Sequence, residues 1–92
     1  MGARKKRIEA GAFIQKLRLE HDPKLTQRAL ADKLKLDYYT FISQVETGAA
    51  RVPPEQLVGS AKALGVDPQE FAKKLLSFYD PHTYKALFPK NR

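Results

Sequence analysis

The side chains of this sequence that can do chemistry are hydrogen-bonding and cationic rather than nucleophilic. Tyr38, Tyr39, Thr40, Ser43 and Gln44 fall close together, and Gln27, Arg28, Lys35 and Arg51 flank them. A glutamine amide holds a donor and an acceptor side by side, which pairs bidentately with an adenine edge at about 1–3 kcal/mol of discrimination. A tyrosine ring or a threonine methyl can rest on a thymine methyl. Arginine and lysine neutralise phosphates. Catalysis finds no comparable set. His21 and His82 are lone histidines without a second histidine or a carboxylate at ligand spacing, so each reads as a surface or helix-end residue rather than a metal ligand. Glycine-rich phosphate loops, Ser-His-Asp sets and paired carboxylates are all missing. The expectation is a binding protein that is not an enzyme and needs no cofactor.

The elements that must position these residues follow from periodicity and punctuation. The 92 residues amount to one domain with an economical core. Residues 1–7 carry four consecutive cations, Arg4 to Arg7, and read as a flexible basic tail. From Ile8 a helical stripe runs through Phe13, Ile14, Leu17 and His21 until Asp22-Pro23 stops it. Thr26 starts and caps a second helix bearing Ala29, Leu30, Ala31 and Leu34. After a break at Lys35-Leu36-Asp37, with Asp37 as cap, a third helix is expected over 38–47, turning Ile42 and Val45 inward and closing at Gly48. Pro54 opens a fourth helix that ends at Gly65. Asp67-Pro68-Gln69-Glu70 starts a fifth over about 68–78, and Asp80-Pro81 repeats the signal for a short sixth. No segment alternates like a strand. The fold class expected is all-α, a compact bundle of five helices with a short sixth as an option. Its parts are a tail (1–7), a domain (8–79) and a C-terminal extension (80–92).

Composition narrows the partner. Net charge is +7, a size that points to a polyanion. The charge is concentrated, with ten Lys/Arg against four Asp/Glu in residues 1–36 and seven against six thereafter. The chain has no cysteine, which removes disulfides and thiolate metal sites. Apolar runs fall short of the roughly 20 residues that span a bilayer. The basic start is not followed by the apolar core of a secretory signal. A cytoplasmic protein without membrane contact is expected.

Two short helices joined by a tight break, with a helix on either side, are the parts of a helix-turn-helix. The run Leu25-Thr26-Gln27-Arg28-Ala29-Leu30-Ala31-Asp32-Lys33-Leu34 resembles the opening of that motif in the Cro/repressor (XRE) family. Phe41 to Gly48 resembles the end of the family's recognition helix, and Ala61 to Val66 the helix that follows. The resemblance covers roughly residues 12–76 and implies a lambda-repressor-like bundle that binds double-stranded DNA. It also implies that Gln27 touches a phosphate or braces a base-reading side chain, that Gln44 reaches an adenine and Ser43 a phosphate, and that Tyr38, Tyr39 and Thr40 sit where base contacts are made. One of the two tyrosines is expected in the groove, the alternative being that one closes the core. Arg28, Lys33 and Lys35 are placed as phosphate contacts, the alternative for Lys33 being a merely solvated side chain. Arg51 either grips phosphate or pairs with Glu46 or Glu55. The Arg4–Arg7 block follows the DNA backbone, enters a minor groove, or stays solvated. The chain departs from the family's commonest spacing by one extra residue within 35–40, where the usual glycine is also missing. That predicts a reshaped turn or an earlier start to the recognition helix.

Phe71, Leu75, Leu76, Phe78, Tyr79, Tyr84, Leu87 and Phe88 crowd the last quarter. They either pack back on the first helix or form a partner surface, for which a homodimer is the natural use. The functional expectation is a DNA-binding transcriptional regulator, a repressor at an operator. The alternative is a helix-turn-helix turned to protein binding, as in an antiactivator or antitoxin.

Overall fold

The structure is a computed structural model that describes residues 2–89, with side chains from Arg4 onward. Among the described residues there are six α-helices and no strand: α1 (Gly2–Glu20), α2 (Gln27–Lys33), α3 (Thr40–Thr47), α4 (Leu57–Leu64), α5 (Pro68–Tyr79) and α6 (Pro81–Leu87). A single 3-10 turn, Pro54–Gln56, leads into α4.

α1 begins at Gly2, so the basic block is helical where the sequence suggested a tail. Ala10 and Ile14 anchor this helix in the core. Once a helix is nucleated, adding residues to it is cheap, and Lys, Arg and Ala are good helix formers. A Lys6–Glu9 pair at 3.7 Å adds a little support one turn along.

α2 is capped as expected, with the Ala29 amide donating to Thr26 Oγ1 at 2.9 Å. Its far end explains the missing glycine. Lys35 takes the left-handed conformation, φ 60°. The Leu36 amide bonds back to the Ala31 carbonyl at 2.9 Å and the Lys35 amide to Asp32 at 3.0 Å. This is a Schellman ending with lysine in the glycine position. The extra residue does not bring an earlier start to α3. The helix begins at Thr40, not residue 38, because residues 37–39 carry the chain from the Schellman turn to the new axis. Asp37 therefore lies too far back to cap α3. Tyr39 holds that position without a side-chain bond.

α5 has the cap read from sequence, with the Glu70 amide donating to Asp67 Oδ2 at 2.9 Å. The buried core draws Ala10 and Ile14 from α1, Leu25, Leu30 and Ala31 around α2, Ile42 and Val45 from α3, Val52, Ala61 and Leu64 around α4, and Phe71 and Leu75 from α5. α6 buries no residue and packs against α5.

Two glycines set the crossing of α1 over α3. A Cβ on Gly11 would collide with the backbone carbonyls of Val45 and Glu46. Gly48 ends α3 at φ 89°, and a Cβ there would meet Ile8. The two helices touch backbone to backbone, which sets the distance between them.

Candidate nucleic-acid interface

α3 has two chemically distinct faces. Ile42, Val45 and Glu46 are buried, whereas Thr40, Gln44 and Thr47 are exposed at helical spacing with Ser43 half-buried beside them. The outer face is thus made of hydroxyls and an amide. The single charged residue of α3, Glu46, is turned inward.

Glu46 is held by three elements. The Arg18 guanidinium donates to its carboxylate twice, Nε to Oε2 at 2.5 Å and Nη2 to Oε1 at 2.9 Å. Arg18 Nη1 reaches the Leu25 carbonyl at 2.9 Å, and Gln27 Nε2 donates to Glu46 Oε1 at 3.0 Å. One carboxylate therefore ties α3 to α1 and to the start of α2. Both charged groups lie under the surface, 6% and 7% exposed. Sequence reasoning missed this pair, counting Arg18 in the basic surplus and offering Glu46 as a partner for Arg51. The signal was present. Arg18 continues the Ala10–Ile14 buried stripe of α1, and Glu46 lies four residues after Ile42 on the inward stripe of α3.

The other expected site residues fall as follows. Tyr38 and Tyr39 precede α3 and are both exposed, Tyr38 at 76%, so neither closes the core. The Arg28 guanidinium sits 5.5 Å from the Tyr39 ring centroid, beside the start of α3. Lys35 is exposed on the turn, with Asp32 and Asp37 close to it in sequence. Gln27 directs its amide N–H to Glu46, bracing a buried carboxylate instead of an outward side chain. Arg51 pairs with Asp80 at 2.7 Å and lies 4.5 Å over the Tyr79 ring, so neither Glu46 nor Glu55 is its partner. Phe41 packs half-buried against the core.

At the other end of α3, Arg4 and Arg7 line a cleft of about 480 Å³ with Ile8, Thr47, Gly48 and Ala49. The basic block that read as a tail stands instead on a helix beside the end of α3.

Part of the C-terminal apolar cluster packs back on the first helix, as one of the two expectations had it. Phe71 and Phe78 pack on Phe13 of α1, with ring centroids 6.2 and 6.1 Å away. Leu87 and Phe88 stay exposed at the mouth of a mostly apolar cleft of about 420 Å³, whose walls include Val52, Leu57, Leu76 and Tyr79. The Val52 amide donates to Tyr79 Oη at 3.3 Å. Burial raises the Tyr79 pKa above its ordinary 10.0, against smaller lowering effects from that bond and from Arg51 and Arg7.

His21 Nδ1 lies 2.7 Å from the Pro23 carbonyl oxygen, at the end of α1. Among the described residues no group of three His, Cys, Asp or Glu side chains could hold a metal ion, and no helix is long and apolar enough to cross a membrane. No family of known proteins, no curated protein and no solved structure matches this chain.

Proposed function

We propose that the chain is a sequence-specific DNA-binding transcription regulator of the cytoplasm, acting as a repressor at an operator. In this reading α2, the Lys35 turn and α3 form a helix-turn-helix, and α3 enters the major groove. The observation that carries it is the outer face of α3. Thr40, Ser43, Gln44 and Thr47 present hydrogen-bonding groups without a charge, and Arg28 and Lys35 stand near where the helix begins. Base edges are read by such groups and phosphates are met by such cations. Gln27 contributes by holding Glu46, and through it α3. A binding role, not catalysis, is proposed. Two copies related by a two-fold axis would meet half-sites about one DNA turn apart, with exposed Leu87 and Phe88 as the apolar contact between them.

Tyr38, the most exposed of the large hydrophobic side chains among the described residues, and the exposed Leu87–Phe88 pair favour a second reading in which a protein is the partner. One experiment separates the two. Duplexes are selected from a random DNA pool and the affinity of the winner is measured at several salt concentrations. A palindrome whose affinity falls steeply with salt supports the dimeric regulator. Absent or sequence-blind binding overturns it in favour of the protein partner.

A further inference from the structure

We propose that Arg4 and Arg7 form a second phosphate clamp, at the far end of α3, so that cations at both ends of this helix hold the two strands flanking one major groove. The inference rests on the DNA-binding reading above. Arg4 and Arg7 lie one turn apart on α1, on the stripe that continues through Ile8 and Gly11 to the crossing with α3. Both line one cleft with Thr47, Gly48 and Ala49, and no carboxylate lines it. Lys6, on a different face, has Glu9 as its partner. The two arginines thus add positive charge where α3 ends. Arg28, over Tyr39, adds it where α3 begins.

The spacing suits a duplex. α3 has eight residues, about 12 Å of helix at 1.5 Å per residue. A B-DNA major groove is about 12 Å wide. A helix lying across that groove brings its two ends to opposite phosphate backbones. Arg28 and Lys35 would then meet one strand, and Arg4 and Arg7 the other. Helical structure is what makes the second contact definite, because α1 places both arginines in the cleft that Thr47 lines, which a loose tail would not. Guanidinium groups suit the task, since their fork matches two phosphate oxygens.

The test is a salt titration of the full chain on a fluorescent duplex of about two helical turns, using wild type, Arg4→Ala/Arg7→Ala, and a control that removes equal charge from Lys16 and Lys85. Circular dichroism checks that each variant is folded. The expected result is a log K against log salt slope shallower by about 1.8 for the arginine variant, at about 0.9 per phosphate, and unchanged for the control. Hydroxyl-radical footprints on the same duplex should lose protection on one strand more than the other. Equal slopes for both double variants, or an unchanged footprint, overturn the clamp while leaving DNA binding intact. A wild-type chain that binds no duplex overturns both readings together.

Discussion

The Arg18 guanidinium and the Glu46 carboxylate meet in two hydrogen bonds beneath the surface, 28 residues apart in sequence. Arg18 belongs to the helix that crosses α3, and Glu46 is the inward-facing charge of α3 itself. Gln27, at the first residue of α2, closes the set. One carboxylate therefore links α3 to both neighbouring helices.

Removing either charge strands the other without water. Arg18→Met or Glu46→Leu alone is expected to cost about 3–5 kcal/mol, a large part of the roughly 5–15 kcal/mol typical of a whole domain. The double variant should recover most of that loss, since an apolar pair of similar volume avoids the buried charge. Urea denaturation of the four proteins gives the comparison, and a double variant less stable than both singles would refute it.

Two glycine-to-alanine changes should have opposite signs. Within α4, Gly59→Ala places its methyl 3.9 Å from Leu34 at the end of α2, an ordinary contact. It should stabilise the fold by about 0.5–1 kcal/mol through helix propensity. Gly11→Ala has the same propensity gain but pushes α3 off α1 at Val45 and Glu46. A net loss of about 1–3 kcal/mol is expected, the usual cost of overpacking. Thermal unfolding monitored by circular dichroism distinguishes the two.

Lys35 occupies a conformation that costs a residue with a Cβ about 1 kcal/mol. Lys35→Gly should raise Tm by about 4–8 °C for a domain of this size. If Lys35 meets a phosphate, the same variant should bind duplex less tightly, with a shallower salt slope. Stability and affinity would then move in opposite directions, a combination that simple misfolding cannot produce.

Tyr79 gives the fold an alkaline limit. Its phenol titrates above 10.0 in the folded chain because burial disfavours the anion. The unfolded phenol loses its proton first. Stability from this group is thus complete below pH 10, falls as pH rises from there, and is lost once pH passes the folded pKa. Tyr79→Phe should flatten that part of the stability curve, measured by urea unfolding across the alkaline range. A curve as steep as wild type would place the dependence elsewhere.

On a duplex that the chain selects, Gln44→Ala and Arg28→Ala should fail in different ways. Loss of the amide should relax preference at one base position by about 1–3 kcal/mol, while loss of the guanidinium should weaken all sequences alike and reduce the salt slope by about 0.9. Binding curves on matched and mismatched duplexes separate these effects.

Punctuation residues made much of the helical layout readable. Thr26, Asp67, Pro68, Gly48 and Gly65 each act through the nearest turn of backbone, so their effect is local and visible in a short window. Lys35 was harder. A left-handed lysine is disfavoured locally and is held there by the path the chain must take around it, which only the fold reveals. The basic block was misread for the reverse reason. Its like charges repel, yet the core contacts of Ala10 and Ile14 keep the helix going beneath them. Of the site, Thr40, Ser43 and Gln44 are placed on α3 by the resemblance of the sequence to a recognition helix, whereas the partners of Glu46 and Arg51 cannot be read from it. Those contacts join segments nearly thirty residues apart, and a charge pattern does not say which opposite charge will arrive.

α6 rests on α5 and gives no side chain to the core. Its Tyr84 and Phe88 rings lie 5.2 Å apart, and Lys73 of α5 covers Phe88 at 4.6 Å. Releasing α6 takes no residue out of the buried core that α1 to α5 share. The chain therefore has two tiers of opening, and the amides of α6 should exchange with solvent long before those of α3 and α5. A segment that can lift away without unfolding what lies beneath it uncovers the cleft walled by Val52, Leu76 and Tyr79, while α3 stays where α1 holds it.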